Sequence, residues 1–238
     1  MNTLTGHIVR SYDQELAQIS TLTAQMGGLV EQQLQQSLRA LHARDNELAA
    51  KTYENDNSID SVEQEINDLS LKVLALRQPM ASDLRLIVGS MKIARDLERI
   101  GDYAASLAKR SYALNSSGKL PLSASLLRLG NLVAPMVLDA IAAYSSIDVA
   151  RAEQILDNDA PIDEAYDRMV GEIITHMQTN PDDIKLCTHV LFMAKNLERI
   201  GDRCTNIAET VFFMDSGSTP KAPRRPNLAE KLARDTGF

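Results

Sequence analysis

The hexapeptide Leu-Glu-Arg-Ile-Gly-Asp occurs twice in the chain, starting at Leu97 and at Leu197, with both carboxylates kept each time. Glu98 and Asp102, like Glu198 and Asp202, stand four residues apart, a spacing that stacks two acids on one face of an α-helix. A second acidic pair precedes each copy in the shared frame Asn-Asp-x-x-Ile-Asp, giving Asp56 with Asp60 and Asp159 with Asp163. Acids gathered at one place repel one another unless they are protonated or bridged by cations. Carboxylate oxygens suit hard or borderline divalent and trivalent metals. A lone pair of this kind is more often a solvated face, here with Arg95 and Arg99 as ready partners.

Register raises the metal reading above that default. With a turn at Gln78, Asp56 and Asp60 precede it by 22 and 18 residues, and Glu98 and Asp102 follow by 20 and 24. From Asn180, Asp159 and Asp163 lie 21 and 17 residues back, and Glu198 and Asp202 lie 18 and 22 ahead. Antiparallel helices joined by a short turn bring such residues to one height within about 3 Å. The expectation is one metal site per repeat, built from Asp56, Asp60, Glu98 and Asp102 and from Asp159, Asp163, Glu198 and Asp202. Glu209 shares the face of Asp202 and is a further candidate ligand.

The elements that must carry these acids are themselves duplicated. The Asn-Asp frame recurs at an offset of 103 residues, Pro79 and Pro181 at 102, and the hexapeptide at 100. Few aromatics (4 %), no Trp and an abundance of Leu, Ala, Met, Glu, Gln and Arg favour helix. Each unit reads as three helices. In the first, a helix from about Tyr12 to Arg44 is followed by an Asp45 cap, a second helix to about Arg77, and a third opened by Gln78-Pro79. In the second, Asp148 is the cap and Asn180-Pro181-Asp182-Asp183 the start signal. Gly27-Gly28 and Pro135 weaken the first helix of each unit.

Apolar stripes run along Ile93, Leu97, Ile100, Ala104 and Leu107, along Met193, Leu197, Ile200, Cys204 and Ile207, and along Ile59, Val62, Ile66, Leu69, Val73 and Leu76. The predicted fold is all-α, a tandem repeat of two antiparallel three-helix bundles with six long helices. The bundles cover residues 1–114 and 121–214, joined by a linker at Leu114 to Pro121, and residues 215–238 form a mobile or weakly helical tail.

A net charge of −7 and a pI near 5.2 argue against broad nucleic-acid binding and suit a protein that holds cations or meets a basic partner. No apolar run approaches the roughly 20 residues that cross a bilayer, and the N-terminus lacks a signal-peptide layout, so a cytosolic protein is expected. Cys187 and Cys204, roughly 25 Å apart along one helix, read as reduced core thiols. The four histidines form no His-Glu-x-x-His, and neither a Walker A nor a Gly-x-Ser-x-Gly motif is present.

Arg77-Gln78-Pro79-Met80-Ala81-Ser82-Asp83-Leu84-Arg85, followed by Ala94 through Ala104, resembles the signature of the PhoU family of bacterial phosphate-uptake regulators. Met26 through Glu31 and the second copy, Asn196 through Asn206, resemble it too, and the likeness spans about residues 8–213. Asn196 departs from the pattern where the first copy has Asp96. The resemblance implies the tandem bundles and metal-binding acid pairs, with iron, zinc, magnesium or manganese as the ion, on the eight carboxylates named above. It implies a non-enzymatic regulator that represses the phosphate-starvation response and restrains uptake, between the ATPase subunit of the phosphate ABC transporter and a sensor histidine kinase. A homodimer is implied, cytoplasmic and peripheral to the inner membrane through its partners, without nucleic acid and without inserting itself. A carboxylate–metal hydrolase of phosphate compounds is the alternative activity, and a bland helical scaffold the other.

Overall fold

The computed structural model describes residues 3–117 and 121–218. The described elements are α1 (Thr3–Ala43), α2 (Asn46–Glu54), α3 (Asp56–Arg77), α4 (Ala81–Ser116), α5 (Ser123–Ser146), α6 (Val149–Asp157), α7 (Asp159–Thr179) and α8 (Ile184–Ser216), with a 3-10 turn at Pro181–Asp183. No described residue is in a strand. The fold is all-α, and each repeat folds its long helices against one another as the repeat pattern predicts.

The corner after the first helix is built identically in both repeats. Arg44 and Ile147 take left-handed backbone conformations, and the next amide reaches back to close the turn, Asp45 N–H to Ala40 and Asp148 N–H to Ala143. Asp45 then accepts from the Leu48 amide at 2.9 Å and Asp148 from the Arg151 amide at 3.0 Å, which are the two caps expected from sequence. The predicted single second helix is instead two, broken at Asn55 and at Asn158. The break makes Asp56 and Asp159 the first residues of α3 and α7, where the helix dipole favours an acid.

Four further boundaries differ. α1 begins at Thr3 and α4 runs on through Ser116, into the expected linker, of which residues 118–120 lie outside the described residues. The Asn180 side chain does not cap α8; its amide donates back to the His176 carbonyl, and a 3-10 turn intervenes. α8 passes Met214 to Ser216 and stops at Gly217 in the left-handed conformation, while the tail from residue 219 lies outside the described residues.

The buried faces of both repeats merge into one apolar cluster. α4 packs along α8 through Lys92 with Phe213, Asp96 with Arg203, Tyr103 with Arg199 and Arg110 with Phe192, so the two run antiparallel. α1 and α5 meet the same way, Gly27 against Ile141 and Gly130 against Leu38. A shift of 103 residues turns Gly27 into Gly130 and Leu38 into Ile141, so the two contacts are mates across a pseudo-twofold axis. α5 is long and apolar enough by length and composition to cross a membrane, which the absence of a long apolar run had led us not to expect. Its inner face, including Leu126, Leu129, Val133 and Val137, is part of the shared core.

Candidate metal centre

The residues of the α4–α8 contact place the two hexapeptides side by side at its middle, Gly101 abreast of Gly201. Among the described residues α3 packs on α4 but not on α8, and α7 on α8 but not on α4. The acid-bearing faces therefore lie on opposite flanks of the pseudo-axis.

Each hexapeptide glycine is backed by the isoleucine of the Asn-Asp-x-x-Ile-Asp frame. A Cβ at Gly101 would stand 3.0 Å from Ile59 Cδ1 and 3.4 Å from Asp56 Oδ1, and one at Gly201 would stand 3.5 Å from Ile162. The two motifs thus meet at one height in both hairpins, as the counting from Gln78 and Asn180 predicts. The acids also share one pattern of exposure: Asp56, Glu98 and Asp102 are half-buried and Asp60 is exposed, and their counterparts Asp159, Glu198, Asp202 and Asp163 repeat this in order.

In the first repeat the four acids act on one another. Burial, then Asp102 and Asp60, push the Asp56 carboxyl up against the opposing hydrogen bond from Gln33. Burial pushes Glu98 up as well, with Asp102, Glu63 and Asp60 adding to it and Arg99 opposing. Arg99 supplies the counter-charge, its Nη1 2.9 Å from Asp102 and its Nε 3.4 Å from Glu98. In the second repeat Lys195 lies 2.6 Å from Glu198, and Arg199 lies over the Tyr103 ring. Burial, then Asp96 and Asp159, raise the Cys204 thiol on α8. Glu209 is half-buried two turns beyond Asp202 on α8.

Among the described residues no three His, Cys, Asp or Glu side chains are drawn together tightly enough to share one ion. The donor set nonetheless suits a hard cation: it is oxygen-only, and Asp56 and Glu98 are half-buried and raised in pKa first by burial and then by their acidic neighbours, a repulsion that a cation would relieve. The residues that would hold it in the first repeat are those named from sequence, and Arg99 now supplies positive charge beside Glu98 and Asp102.

Gln33 escaped the sequence analysis. Its Nε2 donates to Asp56 Oδ1 at 3.0 Å and to the Gly101 carbonyl at 3.3 Å, joining all three elements of the first patch. It lies on the buried stripe of α1 with Met26, Val30 and Ser37, and a Gln at a core position was the available signal, hidden within Gln32-Gln33-Leu34-Gln35-Gln36.

The residues of the recognised signature serve another purpose. Arg77 donates to Glu15 at 2.9 Å, Tyr12 donates to Asp83 at 2.8 Å, and Arg85 donates to the Met214 carbonyl at 3.1 Å. They brace the α3–α4 hairpin tip against α1 and the end of α8.

The PhoU domain family model matches the chain twice, over residues 23–111 and 126–211. This chain belongs to the PhoU family. It is 45 % identical over 218 residues to a phosphate-specific transport system accessory protein PhoU homolog of Xylella fastidiosa (strain 9a5c), covering 92 % of each chain. The corresponding PhoU of Escherichia coli (strain K12) is 36 % identical over 214 residues, 90 % of this chain and 89 % of that one. The crystal structure of PhoU from Pseudomonas aeruginosa superposes with a TM-score of 0.84 at 35 % identity, covering 87 % of this chain and all of that one. The phosphate transport system regulatory protein PhoU from Streptococcus pneumoniae gives 0.81 at 29 % identity over 88 % of this chain and 99 % of that one. The two matched domains hold the two hexapeptides at the pseudo-axis, so the PhoU repeat and the duplicated unit coincide.

Proposed function

We propose that this chain is a regulator of phosphate transport that represses the phosphate-starvation response when phosphate is plentiful. It acts by contact, bridging the ATPase subunit of the phosphate ABC transporter and a sensor histidine kinase, and as a homodimer. The observation that carries the reading is the full-length match to relatives named as accessory and regulatory proteins of phosphate transport. Those names describe no hydrolase. Deleting the gene is expected to leave alkaline phosphatase expressed in high phosphate. Repression that persists in the deletion strain, with the transporter and kinase intact, overturns this reading.

Metal ions, iron, zinc, magnesium or manganese, bind the two acid patches and link their charge to stability. Glu98 carries its burial and repulsion in the cation-free protein, so its folded pKa is raised and its stabilising contribution is lost as pH rises through it. Glu98→Gln is therefore expected to raise the melting temperature of the chelator-treated protein at neutral pH by about 1–3 °C, for roughly 0.5–1 kcal/mol. The same variant, and Asp102→Ala, are expected to reduce the further rise that manganese or iron produces in the unmodified protein to the part supplied by the second repeat. Calorimetry with and without metal checks both; an equal metal response in all three proteins excludes the first-repeat site.

A further inference from the structure

Near the other end of the α4–α8 contact lies a cationic cluster in which Arg110 and His189 meet no acid among the described residues. Arg110 on α4 is half-buried, with its guanidinium stacked 4.4 Å above the Phe192 ring of α8. Its Nε is buried with no hydrogen-bond partner, and burial alone lowers its pKa, with no carboxylate acting against it. His189, one turn before Phe192, has a buried Nδ1 that is likewise unpartnered. Burial lowers its pKa first, followed by the charges of Arg110 and of Lys185, which stands one turn before it on α8.

The pseudo-axis shows that this cluster is not a by-product of the fold. The counterpart of Lys185 is Arg85, whose Nε and Nη2 donate to the Met214 and Asp215 carbonyls at the end of α8. The counterpart of His189 is Gly89 and that of Arg110 is Thr210. At the pseudo-symmetric place Arg85 is engaged by helix carbonyls and Lys92, the counterpart of Phe192, lies over the Phe213 ring, whereas here Arg110 of α4 meets Lys185 and His189 of α8. A half-buried guanidinium without a counter-ion is unfavourable, and a chain of net charge −7 has acids in plenty that are placed elsewhere.

We propose that Arg110, Lys185 and His189 form a binding site for a phosphate-type oxyanion, free or carried on a phosphorylated side chain. The planar guanidinium presents paired N–H donors that match phosphate oxygens, and the Phe192 ring holds that plane in place. Lys185 is exposed in the first turn of α8, where the helix dipole adds to its charge. Phe192 is 49 % exposed, so the stacked pair lies at the surface.

The test follows the His189 ring resonances by NMR while the full chain is titrated with inorganic phosphate, with a phosphoserine peptide, and with chloride at equal ionic strength. A saturable shift with phosphate or phosphopeptide, absent with chloride, is expected. Arg110→Gln and the exposed Lys185→Gln are each expected to weaken that binding about tenfold or more, the effect of a lost charge-assisted hydrogen bond. Arg128→Gln, on α5, is expected to leave it unchanged. Tighter binding of the peptide identifies the occupant as a phosphorylated side chain, and tighter binding of inorganic phosphate identifies the free anion. A His189 response that chloride reproduces, or an affinity that neither Arg110→Gln nor Lys185→Gln changes, overturns the proposal.

Discussion

Replacing Gly27 with leucine is expected to lower the melting temperature by about 6–12 °C, the equivalent of roughly 3 kcal/mol of overpacking in a chain of this size. A Cβ at Gly27 would lie 2.9 Å from both Cγ atoms of Ile141. Those atoms branch directly from Cβ, and a β-branched residue in a helix has one favoured rotamer, so Ile141 cannot swing aside. Relief requires α1 and α5 to part, and that contact helps hold the repeats together. The adjacent residue provides the control. Gly28 is exposed, and a Cβ there would meet nothing within 4 Å, so Gly28→Ala is expected to stabilise by about 0.5–1 kcal/mol through helix propensity alone. Thermal melts of the two variants should move in opposite directions. Equal tolerance at both positions would show that α1 and α5 are not tightly joined at Gly27.

The same pair of glycines shows where sequence reasoning reaches and where it ends. Their low propensity is a local property and predicts a weakened helix, yet α1 runs through both without a break because its inner face is held by the core. Pro135 is likewise carried inside α5 at an exposed position. Periodicity was legible wherever packing is local: Ile93, Leu97, Ile100, Ala104 and Leu107 are all buried, as are Met193, Leu197, Ile200, Cys204 and Ile207. It failed at Leu76, the last residue of its predicted stripe, which is 67 % exposed at the hairpin tip.

The height of the acids followed from counting residues to a turn, because rise per residue is a constant of the helix. The breaks at Asn55 and Asn158 did not, since both continue an amphipathic pattern and only tertiary packing separates the two helices. Gln33 and the pairing of α4 with α8 are contacts between distant segments, and no spacing within one segment encodes them. The Asp96–Arg203 pair belongs to this class as well, and its chemistry makes it the most sensitive point on the pseudo-axis.

Arg203→Ala is expected to destabilise the protein by about 2–3 kcal/mol at neutral pH, somewhat below the effect in a fully buried pair because Arg203 is a third open to water. Asp96 lies on the α4 side of the α4–α8 contact with its side chain only 14 % exposed, 3.1 Å from Arg203 Nη1. Burial raises its pKa, and the hydrogen bonds from Arg203 and Asn206 hold it down. Since the folded pKa is raised, the folded state takes up the proton more readily than the unfolded chain. The stability this contributes is complete below the ordinary carboxylate range and is lost as pH rises through the folded pKa. Removing Arg203 raises that pKa further, so the deficit of the variant should be largest at neutral pH and shrink as the medium is acidified into the carboxylate range. A deficit independent of pH would mean that the loss is of packing and not of charge. The pseudo-symmetric positions hold Asn196 and Tyr103, a neutral solution to the same contact. Asp96→Asn combined with Arg203→Tyr should therefore recover most of the stability that Arg203→Ala loses, because it removes the stranded carboxylate and restores the volume together.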